Sequence, residues 1–163
     1  MITPHVCKGI RTMIIQFSRV ILMVMIGIGC LNLGTRSEAA PMPCLLLTDA
    51  EVEQVVGKLM GTPKAGEEGR AAWCNYEFAN GKDAMEVWVF PTDGIERAHK
   101  EVRNPTALKG LGEDAFIERG MHGLDYVDLF IRKGKTTIQL SLKESAGDEE
   151  KLKTLGRKAV DRL

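Results

Sequence analysis

An α+β fold, an antiparallel sheet of about five strands with N- and C-terminal helices packed on one face, is what this 163-residue chain predicts. Three observations carry that reading. A capped apolar stripe of helical period begins after residue 47, and a second closes the chain. Between them, four segments alternate apolar and polar side chains with a period of two. The turn signals between those segments are mostly short, which joins neighbouring strands antiparallel.

The first forty residues stand apart from this pattern. Arg11 and Arg19 precede the uncharged apolar run "VILMVMIGIGCLNLG" at 20–34, which is short for a membrane-spanning helix. Small residues follow, with Ser37-Glu38-Ala39 at the small-x-small position of a processing site. Residues 1–39 therefore read as a cleaved secretory signal peptide, with Met13 as an alternative start, and 40–163 as a single α+β domain. Gly29-Cys30 offers a competing processing site of the bacterial lipoprotein type, in which Cys30 would be lipidated. Gly27 stands where such a box prefers Leu. Removing residues 1–39 takes away Lys8, Arg11, Arg19, Arg36 and Glu38, leaving 18 basic and 21 acidic residues. A net charge near −3 with no basic stripe argues against a nucleic-acid partner.

Thr48-Asp49-Ala50-Glu51 is a capping box, and Leu47 and Val52 stand at the staple positions on either side of it. Val52, Val55, Val56 and Leu59 form one apolar stripe, which Gly61 and Pro63 are expected to end. "TPKAGEEGRAA" at 62–72 reads as a polar loop with nothing to bury. "WCNYEFANGKDAMEVWVF" at 73–90 predicts a β-hairpin turning at Asn80-Gly81 in a type I′ turn. Residues 92–102 form a short helix with Ile95, Ala98 and Val102 on one side, and Asn104-Pro105 breaks it. "DAFIERG" and "LDYVDLFIRKGKTTIQLSL" supply further strands, with turns at "GMHG" and "KGK". Leu152, Leu155, Ala159 and Leu163 mark a terminal amphipathic helix over 148–163.

Strand parity separates two faces. Tyr76, Met85, Val87, Val89, Val127, Leu129, Ile131, Ile138, Leu140 and Leu142 make an apolar core face beneath the long helices. The opposite face carries Glu86, Trp88, Phe90, Tyr126, Asp128, Phe130 and Gln139. Aromatics on an otherwise polar face either line a binding surface or lie under the 92–102 helix, and both readings stand at this point.

Cys44 and Cys74 are the cysteines beyond the leader. In an exported chain they read as one disulfide. A metal site would need more ligands, and His99 and His122 have no zinc-like spacing to them, so neither metal nor cofactor is expected. Gly110-Leu111-Gly112-Glu113-Asp114-Ala115 fits the letters of a dinucleotide fingerprint, but a strand follows it where that motif requires a helix. Gly134-Lys135-Thr136 lacks the upstream glycine of a P-loop, since Leu129 occupies its place. Ser141 and Ser145 sit in no nucleophile elbow. Catalytic residues are thus not expected, and the one constellation left is a carboxylate pair, Glu86 with Asp128.

The motifs "CLLLTDAEVEQVVG", "CNY", "GLGEDAF", "LFIRKGKTTIQLSL" and "LKTLGRKAVDRL" together resemble a family of bacterial exported lipoproteins without an assigned activity, of the mycobacterial LpqN type. The resemblance implies a PsbP-like α/β sandwich, a Cys44–Cys74 disulfide and a lipid anchor, and it lends no catalytic residue. The imperfect box at Cys30 departs from the family pattern. The resulting expectation is an exported, non-enzymatic binding or accessory module of the bacterial envelope, periplasmic or secreted. Its partner would be an envelope protein, a cell-wall component or a small ligand, with membrane contact only through a lipid anchor. A small hydrolase or transferase using the carboxylate pair, and a structural subunit of an envelope complex, are the rival expectations.

Overall fold

The Thr48 hydroxyl accepts the Glu51 amide at 3.3 Å, and the Glu51 carboxylate accepts the Thr48 amide at 2.9 Å, so the capping box closes in both directions. The computed structural model containing it describes residues 42–91, 94–120, 125–143 and 149–163. The signal-peptide reading of 1–39, Cys30, His122 and Ser145 lie outside the described residues.

Four helices and seven strands follow in order: α1 Pro43–Leu46, α2 Asp49–Val55, β1 Lys64–Glu68, β2 Ala71–Glu77, β3 Ala84–Pro91, α3 Gly94–Glu101, β4 Thr106–Ala107, β5 Asp114–Arg119, β6 Tyr126–Lys133, β7 Thr136–Lys143 and α4 Glu149–Val160. The strands form one open antiparallel sheet in the order β1-β2-β3-β7-β6-β5-β4.

Seven strands replace the expected five, and the two additional ones are the two edges. In β1 nearly every side chain is exposed, and β4 is a two-residue strand exposed at both positions. An edge strand buries little, so it leaves no alternation in the sequence. Its backbone pairing with one neighbour holds it. Helix α2 also ends earlier than Gly61 and Pro63 would place it. Gly57, at φ 149°, takes the chain out of the helix, and Leu59 instead bridges to Phe78. The β2–β3 connection is longer than a two-residue type I′ turn. The Asn80 carboxamide accepts the Lys82 and Asp83 amides, so the side chain does the turning that a backbone pair was expected to do.

The apolar faces of β2, β3, β5, β6 and β7 pack with Leu46, Leu47, Val52, Leu152, Leu155 and Ala159 into one core. Three ties fasten the ends of the fold above it. Cys44 and Cys74 form a disulfide, with Cα atoms 5.2 Å apart, joining α1 to β2. The buried Tyr76 hydroxyl donates to the Leu47 carbonyl at 3.2 Å, and burial chiefly pushes its pKa up to about 12. Arg162 grips the Glu51 carboxylate with both terminal nitrogens at 2.8 Å and also donates to the Leu46 carbonyl.

Reduction of the disulfide, which closes a 30-residue separation, is expected to lower stability by about 3–4 kcal/mol. Denaturant titration with and without reductant measures this, and unchanged midpoints would refute it. The Arg162 guanidinium, first among several donors, holds Glu51 well below the usual carboxylate range. Its contribution is therefore complete above the ordinary value of 4.5 and fades as the pH falls below it. Glu51→Gln is expected to destabilise by about 1–2 kcal/mol at neutral pH and to flatten the acid limb of a stability-versus-pH profile.

Candidate functional site

The face of the sheet away from the core is organised in rows that cross the strands. One row runs Trp73, Trp88, Gln139, Phe130, Phe116 from β2 through β3, β7 and β6 to β5. The next runs Asn75, Glu86, Ser141, Asp128, Glu118 through the same five strands. Cross-strand neighbours on one face are the contacts such rows permit. Trp73 and Trp88 lie with ring centroids 6.3 Å apart, and Trp88 stacks on Phe90 at 6.0 Å.

Helix α3 crosses this face over β6 and β7. Ile95 and Ala98 pack on Phe116 and Phe130, whose rings stack at 4.8 Å, in a small cluster separate from the main core. The helix comes this close because Gly94 has no side chain. A Cβ there would meet the Phe90 Cβ at 2.6 Å and the Thr137 Cβ at 3.0 Å. At the outer side of α3, the His99 ring lies 4.3 Å from Phe116 and its Nε2 is 3.3 Å from the Asp114 carboxylate.

The helix covers half of the aromatic face. Over the other half it leaves a groove of about 500 Å³. One wall is α3, with Arg97, Ala98 and Glu101. The other is the turn between β1 and β2, with Glu68, Gly69 and Arg70. Trp88, Phe90, Phe130 and Gln139 form the floor. Trp88 and Phe90 are half-buried, whereas Phe130 and Gln139 are buried. An aromatic floor between two walls that each carry one cation and one anion suits a flat ligand with polar edges, or a polar chain laid over apolar rings.

The residues of the polar row are tied to separate donors. The Trp88 indole nitrogen donates to Glu86 at 2.9 Å. Asp128 is fully buried and accepts from Gln139 at 3.1 Å and from the Ser141 hydroxyl. Glu86 and Asp128 both stand opposite Ser141, on its two sides, which puts their backbones about 10 Å apart. Their carboxylates share a row without facing each other.

Of the residues singled out from parity, Trp88, Phe90, Phe130 and Gln139 meet in the groove, and Glu86 orients Trp88 from beside it. Asp128 lies beneath, as a partner of the Gln139 amide. Tyr126 is on the same face but paired with Lys143 at the far end of β6, outside the groove. Sequence reasoning missed Trp73, although it shares parity with Asn75 and Glu77. It also missed Arg70 and Arg97, which only the fold of α3 over the sheet brings opposite each other.

Among the described residues, no helix is long and apolar enough to cross a membrane, and no group of three or more His, Cys, Asp or Glu is arranged to hold a metal ion. Comparison with protein-family models, with curated proteins and with solved structures finds no match to this chain.

The separation of the α3 cluster from the main core has a measurable consequence. Phe130→Ala is expected to destabilise the domain by about 3–5 kcal/mol. It should also raise amide exchange in α3 well above that in α4, because Ile95 and Ala98 lose their seat. Equal protection of the two helices in the variant would show that other contacts hold α3.

Proposed function

We propose that this chain is an exported, non-enzymatic binding module of the bacterial envelope, and that the groove between α3 and the β1–β2 turn is its binding site. The observation that carries this reading is the aromatic floor left half-open between charged walls. Soluble domains bury such rings or use them. The disulfide supports export, since a structural cystine persists in oxidising compartments. Residues 1–39 act in this reading as the signal peptide, with Cys30 as the alternative, lipidated start. The packing of α1, α2 and α4 on one face of an antiparallel sheet is compatible with the PsbP-like sandwich that the LpqN-type resemblance implies. The ligand is a small molecule, a cell-wall component or a segment of an envelope protein.

The alternative in which Glu86 and Asp128 act as a catalytic pair gains no support from their geometry, because Ser141 stands between them and different donors hold each carboxylate.

Of the two tryptophans of the chain, Trp88 lines the groove and Trp73 packs beside it at 6.3 Å, so intrinsic fluorescence reports on the site. Titrating the purified domain with fractionated envelope extract is expected to shift that emission, and immobilised domain should retain the active component. Trp88→Ala should weaken retention by tenfold or more, while Tyr126→Ala, outside the groove, should leave it intact. Equal loss in both variants, or in neither, would refute the groove as the site.

A further inference from the structure

Strand β1 is an open edge whose charge pattern is complementary to itself. Among the described residues it pairs with β2 alone, so its outer backbone groups face away from the sheet. Its sequence is Lys64-Ala65-Gly66-Glu67-Glu68. Laid antiparallel against an identical strand about a two-fold axis at Gly66, Lys64 of each copy falls opposite Glu68 of the other. Ala65 then falls opposite Glu67, so no like charges are opposed. Lys64 already holds the Glu77 carboxylate of its own chain at 2.7 Å, so in the pair each ammonium would bridge that carboxylate and Glu68 of the other copy, an isologous contact. The centre of the strand is flat enough for this. Gly66 has no side chain, and the Trp73 indole lies across it so closely that a Cβ would come within 2.3 Å of the ring.

A second, independent observation points to the same edge. Among the described residues three large apolar side chains are well exposed: Met42 at 63%, Leu45 at 70% and Met60 at 60%. Leu45 belongs to α1, which Met42 caps and which packs against β1. Met60 lines a depression together with Lys64 of β1. Exposed apolar groups gathered beside an unpaired strand mark a contact surface more than a solvated one.

We infer that two copies of this chain associate through β1, joining their sheets edge to edge into one continuous antiparallel sheet of fourteen strands. A two-fold axis through Gly66 normal to the sheet keeps both copies the same way up, so association places their grooves on the same face, with Glu68 of the groove wall at the seam.

Sedimentation velocity across a concentration series tests this. The wild-type domain is expected to dimerise. Lys64→Glu places carboxylates at both positions 64 and 68, and Glu68→Lys places ammonium groups at both. Each variant alone is expected to lose dimer affinity by roughly tenfold or more. An equimolar mixture of the two should recover a heterodimer, and the double variant Lys64→Glu/Glu68→Lys should recover the homodimer. Thermal melts of the variants separate misfolding from lost association, because a misfolded chain would not recover on mixing. A monomeric wild type, leaving the edge to a strand of some other protein, overturns the inference. So does a dimer that either single variant leaves unchanged.

Discussion

Both faces of this domain depend on the pairing of β3 with β7. The two strands are separated by about fifty residues, and seven residue pairs, from Met85 with Leu142 to Pro91 with Thr136, lock them together. That ladder splices a meander from the first half of the chain to a meander from the second. Because side chains alternate, its register decides everything beyond it. Val87 meets Leu140 on one face and Trp88 meets Gln139 on the other. A slip of one residue would drive Glu86, Trp88 and Phe90 into the helix-covered core and turn Met85, Val87 and Val89 outward. The hydrophobic cost of that exchange holds the register. The aromatic row is thus a by-product of burying valines and leucines behind it.

What sequence alone discloses follows from the same physics. All five inner strands bury the same aliphatic core face, so alternation is written into "AMEVWVFP" and "TTIQLSLK", even though β5, β6 and β7 bury most of the other face as well. The edges bury almost nothing, and "KAGEE" reads as loop although it is a strand. The capping box at Thr48 is legible because its two hydrogen bonds are local. The end of α2 is less so, because Leu59 keeps helical spacing with Val52, Val55 and Val56 although Gly57 has already turned the chain. Leu59 is apolar because of Phe78, which is distant in sequence, and not because of the helix.

The groove is legible only in half. Parity picks out Trp88, Phe90, Phe130 and Gln139, because a sheet face is a one-dimensional pattern. Whether α3 covers those residues or stands beside them is a matter of packing, and the chain does both. It closes over Phe116 and Phe130 and stops short of Trp88. Gly94 decides where the helix sits down, through a close approach that no periodicity encodes. Arg70 and Arg97 become neighbours of the site only through that placement. Tyr126 shows the opposite failure, since parity assigns a face and says nothing of position along it.

The clasp between Arg162, Glu51 and the Leu46 carbonyl gathers the two ends of the folded domain onto its helical side. The groove is on the reverse of the sheet. A support, a tether or a fused partner attached through either end therefore acts as a handle on the back of the molecule. Attachment through either end thus leaves the groove unobstructed.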